Sequence, residues 1–334
     1  RPKEFVDLCG EGEWFVGTRG GSADHAAIKF GREGQITSVS FFPFRVVGQH
    51  PFPEDCRLIV AHCGRSAKKS ENARERFNSR VASYHLATEL LRREVPELAP
   101  RIEHLRDVNT ENLDISLPAL YRLLGRLPSR LDGESAQKIA EESPVVERCL
   151  EGVDVDRCEF PVRDVALFGL AECRRSARTG RLLDAGDAEV LGHTMQISHD
   201  GDRVVQWEDG PVPYDSSAPD ETIRELIEAS SGEVRPLSKT GSALWQQPGA
   251  YDCSTREIDR IVDLAVSCPG VLGAQLAGAG LGGCAMILAR EDGIEEVQDC
   301  LRDRYYGAEE IEPQMFVCRP SGGSQVLTAV EKRS

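Results

Sequence analysis

The run Gly278-Ala279-Gly280-Leu281-Gly282-Gly283-Cys284-Ala285-Met286-Ile287-Leu288 decides how the rest of the chain is read. It contains G-x-G-x-x-G, the spacing of a dinucleotide-binding turn. That turn needs a strand before it and a helix after it, because the helix N-terminus holds the pyrophosphate. Here the glycines lead into Cys284-Ala285-Met286-Ile287-Leu288-Ala289, which is short, apolar and stopped by Arg290-Glu291-Asp292-Gly293. Its length and bounds predict a buried strand, and Gly270 to Leu276 predicts another ahead of the loop. The pattern is strand, glycine loop, strand. Glycine has no Cβ, so such a loop can bring bare backbone against a phosphate or a sugar.

The uncharged run from Val271 to Ala289 is long enough to raise a membrane span, but its glycines split it into two short strands and favour a buried hairpin. With 334 residues the chain can bury a large core and more naturally forms two lobes than one. Its net charge of −15 disfavours a nucleic-acid partner. Arg174-Arg175-Ser176-Ala177-Arg178 reads as a solvated helix face. The 11 cysteines are scattered, with no C-x-x-C and no zinc spacing. Such thiols fit a reducing cytoplasm, and Arg1-Pro2-Lys3-Glu4, followed by mixed, charged sequence, does not read as a signal peptide.

Along the chain, Glu4 to Leu8 predicts part of a helix, and Asp24 to Phe30 a helix that opens at an acidic residue. Gln35 to Phe44 and Arg57 to His62 read as strands. Asn72 to Arg93 is an amphipathic helix, and Val162 to Val190 holds two helices broken around Asp184-Ala185-Gly186-Asp187. Val204 to Ala250 is loop-like and reads as an insertion.

Four segments, in order, resemble the GHMP small-molecule kinases, and galactokinases in particular. The glycine loop matches a signature of the form G-G-G-F-G-G-C. Phe15-Val16-Gly17-Thr18-Arg19-Gly20-Gly21-Ser22-Ala23-Asp24-His25 resembles the segment in which a small-residue loop ends in an acidic residue. Leu58-Ile59-Val60-Ala61-His62 and then Ser70-Glu71-Asn72-Ala73-Arg74-Glu75-Arg76-Phe77-Asn78-Ser79-Arg80 resemble the family's strand and its S-x-Y-N-x-R helix. Met195-Gln196-Ile197-Ser198-His199 resembles L-M-x-x-S-H, and Tyr251-Asp252-Cys253-Ser254-Thr255-Arg256-Glu257-Ile258-Asp259 resembles Y-E-V-S-x-x-E-L-D.

The resemblance implies an α+β, two-lobed GHMP kinase fold: a partial N-terminal α/β lobe and a ferredoxin-like C-terminal lobe. The expected division is 1–66 for the remainder of the first domain and 67–334 for the second, with the insertion near 204–250. It also implies a cytoplasmic sugar 1-kinase that uses ATP and Mg2+ to phosphorylate galactose or a related monosaccharide, with neither nucleic acid nor membrane as a partner. Another sugar (arabinose, a uronic acid, an N-acetyl sugar) and a non-catalytic sensor on the same fold are the alternatives. By resemblance Asp24 is the catalytic aspartate. Gly21, Ser22, Phe77, Gly278 and Gly280 would meet the sugar, and Gly280, Gly282 and Gly283 the nucleotide. No residue is assigned to metal.

The residues alone also allow plainer roles. Asp24 suits a helix N-cap, Phe77 suits core packing, and His199 suits a structural role because no nucleophile elbow accompanies it. Gly280→Val is expected to damage ligand binding more than stability. Phe77 stands where the family carries a tyrosine, so galactose is not the expected first preference. Two family signatures are missing, the sugar-recognising G-R-V-N-L-I-G-E-H-x-D and the phosphate loop P-x-G-x-G-L-S-S-S. Both belong upstream of the matched segments. A truncated portion of a longer kinase, inactive by itself, and a natural protein that lost catalysis are both consistent with that.

Overall fold

The computed structural model describes residues 2–14, 22–41, 43–66, 71–232 and 241–325. Its organising element is a four-stranded antiparallel sheet. β3 (Cys56–His62) is preceded by a two-stranded antiparallel sheet, β1 (Gln35–Ser40) and β2 (Arg45–Pro51), with helices α1 (Pro2–Trp14) and α2 (Ala23–Phe30) before them. The strand expected over Gln35 to Phe44 ends at Ser40, after a register shift at Ser38/Val39. Phe44, buried against Ala26 and Val6, closes the turn into β2.

α3 (Glu71–Glu94) follows β3 and leads into short helices that the sequence did not announce: α4 (Thr110–Leu113), α5 (Leu117–Arg126), α6 (Gly133–Glu142) and α7 (Pro144–Leu150). Each of the first three is started by a polar cap. Asn109, Ser116 and Asp132 accept from the backbone N–H three residues on. α8 (Val162–Ala185) ends at Gly186, which sits at φ +69 as a left-handed C-cap. α9 (Ala188–Asp202) is capped by Asp187 and carries the Met195–His199 motif in its second half.

The described residues of the 204–250 stretch are not a loop laid on the surface. They form a hairpin, β4 (Val205–Trp207) with β5 (Pro211–Pro213), then α10 (Asp220–Ser230). Ala218, Ile223, Leu226 and Leu244 are buried in the same core as Leu86, Leu91, Leu120, Tyr121 and Leu124. The arginine run is also not a solvated face. Arg175 is 2% exposed and donates to the carbonyls of Trp245 and Gln247 while pairing with Glu172. Arg178 lies over the Trp245 ring, 4.3 Å from its centroid. These side chains tie α8 to the far end of the segment.

α11 (Arg256–Val266) presents Ile258, Ile261, Val262 and Ala265 at helical spacing to the sheet. β6 (Val271–Ala277), β7 (Cys284–Arg290), α12 (Ile294–Leu301) and β8 (Met315–Cys318) complete it. The spatial order β6-β7-β3-β8 is antiparallel throughout, so β3, β6, β7 and β8 form the βαββαβ arrangement of a ferredoxin-like sheet. The apolar run that raised a membrane span is its β6–β7 hairpin. β3 lies before residue 66, yet it is the first strand of this sheet. We therefore propose a domain boundary at the turn ahead of Cys56 in place of residue 66.

Candidate functional site around the glycine loop

The loop 278–283 joins β6 to β7 and is held on both sides by backbone. On one side, the Cys63 N–H donates to Gly283 O (2.8 Å) and the Gly283 N–H to Arg65 O (2.9 Å), extending the β3–β7 pairing past the strand ends. Cys63 is itself fixed from beneath. After α12 the helix widens over Arg302–Tyr306, so two consecutive tyrosines turn inward. Tyr305 donates its hydroxyl to Cys63 O (2.8 Å), and Tyr306 to His62 O (2.8 Å). On the other side, the Leu281 N–H donates to Cys253 O (2.7 Å). Cys253 belongs to the Tyr251–Asp259 motif, and α3 reaches that segment through Arg80. Three of the quoted segments, far apart in sequence, thus meet at one loop.

Within the loop the glycines differ. Gly278 (φ +81) is exposed and a Cβ there would meet nothing within 4 Å; the same space is open beside Gly283 (φ +90). Gly280 (φ +80) is buried, and a Cβ on it would stand 2.0 Å from Cys253 O. Gly282 is buried at φ +123. Phe77 is half-buried on α3, three residues before Arg80 and so on the same side of the helix.

Asp24 is exposed in the first turn of α2. It is not the N-cap. Ser22 holds that position without a side-chain bond, and its hydroxyl sits against Gly10 of α1, where a Cβ would come within 2.2 Å. α2 is held by α1, by β1 and by the segment after β8, with Ser324 N–H donating to Ile28 O and Gly323 N–H to Gly31 O. Gly21, expected beside the sugar, lies outside the described residues. No described group of three or more His, Cys, Asp or Glu side chains is arranged to hold a metal ion. Among the described residues no helix is long and apolar enough to cross a membrane.

Residues 222–307 match the family model described as GHMP kinases C terminal. A galactokinase of Saccharomyces cerevisiae is 24% identical over 333 residues, covering 93% of this chain and 60% of that protein. A galactokinase of Streptococcus thermophilus is 35% identical over 77 residues, 23% of this chain and 20% of that protein. The crystal structure of Lactococcus lactis galactokinase complexed with galactose superposes with a TM-score of 0.56 at 18% identity, covering 98% of this chain and 61% of that one. Residues 222–307 thus carry the C-terminal domain of GHMP kinases, and the chain as a whole is similar to galactokinases. It spans about 60% of the length of the Saccharomyces cerevisiae protein. The family match begins at Thr222, inside the segment expected as an insertion.

Two motifs of this chain prove to be halves of one buried network. His199 of α9 and Asp259 of α11 are both essentially inaccessible. β6 is an edge strand, and its Leu276 N–H, lacking a strand partner on that side, donates to His199 Nδ1 (3.2 Å). The imidazole therefore keeps its proton on Nε2, which faces Asp259 Oδ1 at 3.2 Å. Ser254 donates to the same carboxylate oxygen (2.5 Å), and the Val204 and Val205 N–H groups to the other (3.0 and 2.8 Å). Close passage of α9 over β6 is allowed by Gly192 and Gly273, whose missing Cβ atoms leave room for backbone. His199 is thus a structural residue that fixes the strand feeding the glycine loop.

The contact at Gly280 changes the expected effect of substitution. A side chain there strains the φ +80 backbone and pushes into the Cys253 carbonyl before it meets any ligand. Gly280→Val is expected to lower stability by about 1–3 kcal/mol or more. Gly278→Ala, facing open space, should cost about 1–2 kcal/mol for the left-handed backbone alone. Denaturant midpoints of the two variants check this, and a Gly280→Val protein at least as stable as Gly278→Ala would refute the packing argument.

Behind the Tyr251–Ser254 segment lies Asp202, whose Oδ1 has no hydrogen-bond partner. Burial first, and then the nearby Glu172 carboxylate, push its carboxyl up to about 8. A carboxyl raised in the folded state binds more protons than the unfolded chain between about pH 4 and 8, so stability falls across that window as pH rises. Asp202→Asn should flatten the decline in Tm between pH 5 and 8. Identical pH profiles for wild type and variant would show that Asp202 ionises freely.

Proposed function

We propose that the gene product carrying this chain transfers the γ-phosphoryl group of ATP to the anomeric hydroxyl of galactose or a related monosaccharide. The carrying observation is the convergence of three family segments on a glycine loop whose Gly278 and Gly283 face open space. Phosphoryl transfer asks a protein for an oriented acceptor, neutralised phosphates and little covalent chemistry. Bare backbone at Gly278 and Gly283 can lie against sugar and phosphate oxygens, while buried Gly280 and Gly282 let the loop take the shape that presents them. In this reading Asp24 accepts or holds the proton of the sugar hydroxyl, and Gly21, Ser22 and Phe77 line the sugar. Mg2+, implied by the resemblance, has no ligand set of three or more His, Cys, Asp or Glu side chains among the described residues.

The sugar is a finer matter. Phe77 carries no hydroxyl, and the sequence Thr18-Arg19-Gly20-Gly21-Ser22-Ala23 differs from the galactokinase pattern, which points to a monosaccharide other than galactose as the best substrate. The test is a panel of free sugars offered with ATP to the gene product, read by ADP release. A strong preference for galactose would make these differences neutral. No turnover with any sugar, alongside measurable sugar binding, would favour a sensor.

A further inference from the structure

We propose that Arg80 is a positioning residue that sets the conformation of the glycine loop through the backbone of Tyr251–Cys253. Arg80 is 9% exposed, on α3, between Ser79 and Ser83, whose hydroxyls are turned back onto the helix. Its Nε donates to Tyr251 O (2.8 Å) and a terminal nitrogen to Asp252 Oδ2 (3.1 Å). One guanidinium thus grips two successive residues, a geometry that a lysine ammonium reproduces only in part.

Asp252 stands at φ +53, a left-handed backbone that is strained for a residue with a Cβ. Across the contact, Leu281 stands at φ +62. Between these two strained residues runs the hydrogen bond from Leu281 N–H to Cys253 O, with Gly280 pressed against the same carbonyl. Strain of this kind persists only where the surroundings over-determine it. The Tyr251 ring cannot yield, being stacked between Tyr84 and Phe168 at 5.5 and 5.0 Å. What can move when Arg80 lets go is Asp252–Cys253, and with it the carbonyl that seats Leu281. The inference rests on the proposed function only in taking the loop to face the ligand.

The experiment measures amide hydrogen exchange and steady-state kinetics on the full gene product with Arg80→Gln, Arg80→Lys and Asp252→Asn. In Arg80→Gln the Leu281 amide should lose about tenfold or more of its protection while Ile287, in β7, keeps its own. Arg80→Lys should restore part of that protection. KM for sugar or ATP should rise several-fold with a smaller change in kcat. Should Arg80→Gln fail to fold, the lysine and Asp252→Asn variants carry the test. Unchanged protection at Leu281 in those variants would overturn the proposal. Lost protection with unchanged KM would sustain the positioning role and overturn the ligand-facing reading of the loop.

Discussion

Asp24→Ala in the full gene product is expected to lower kcat for sugar phosphorylation by about two to four powers of ten, the usual worth of a positioned acid–base group. The fold should survive. Asp24 is exposed in the first turn of α2, and Ser22 holds the cap position. What the helix loses is a favourable charge near its N-terminus, about 0.3–1 kcal/mol. Asp24→Asn should be as damaging to turnover, since it keeps the shape and removes the basic oxygen. Turnover within a few-fold of wild type, with Tm lowered, would return Asp24 to a helix-dipole role.

Asp259→Ala is expected to have the largest effect on stability, about 3–5 kcal/mol, the loss typical of removing one partner from a buried polar pair. Its carboxylate collects Ser254 Oγ, two backbone N–H groups and the facing Nε2 of His199. Deleting it takes the acceptor from Ser254 Oγ and from the Val204 and Val205 N–H groups and leaves the buried His199 Nε2 facing no carboxylate. Ser254→Ala, which removes a single donor, should cost nearer 1 kcal/mol. Urea denaturation of both variants measures the difference. An Asp259→Ala protein with a near-normal midpoint would show that water or a rearranged loop can replace the carboxylate.

The parts legible in the sequence were those whose signal is local. β6 and β7 announce themselves as short apolar runs around the glycines, and α3 and α8 by helical spacing. α4 to α7 were not legible because each is short and punctuated by residues such as Pro118, Pro128 and Pro144, although Asn109, Ser116 and Asp132 are caps in plain view. Arg175 was misread because a run of arginines looks solvated until the carbonyls of Trp245 and Gln247 arrive from 70 and 72 residues away. The loop-like look of 204–250 has a similar cause. Its apolar residues are sparse along the chain, but Ala218, Ile223 and Leu226 complete a core begun by α3 and α5.

The candidate site divides the same way. Resemblance marked His199 and Asp259 as parts of separate motifs, but nothing in either segment says that they face each other. Gly280 looked like a place for a ligand because glycine is silent about what approaches it. The structure puts the Cys253 carbonyl there, leaving Gly278 and Gly283 as the positions open to the outside.

The measurement closest to the central claim is 31P NMR of the purified gene product incubated with ATP, Mg2+ and each sugar of the panel. The account predicts loss of the ATP γ-phosphorus signal and growth of a sugar 1-phosphate resonance for at least one monosaccharide, abolished in Asp24→Ala. Intact ATP with every sugar, from a protein shown to be folded, would contradict it.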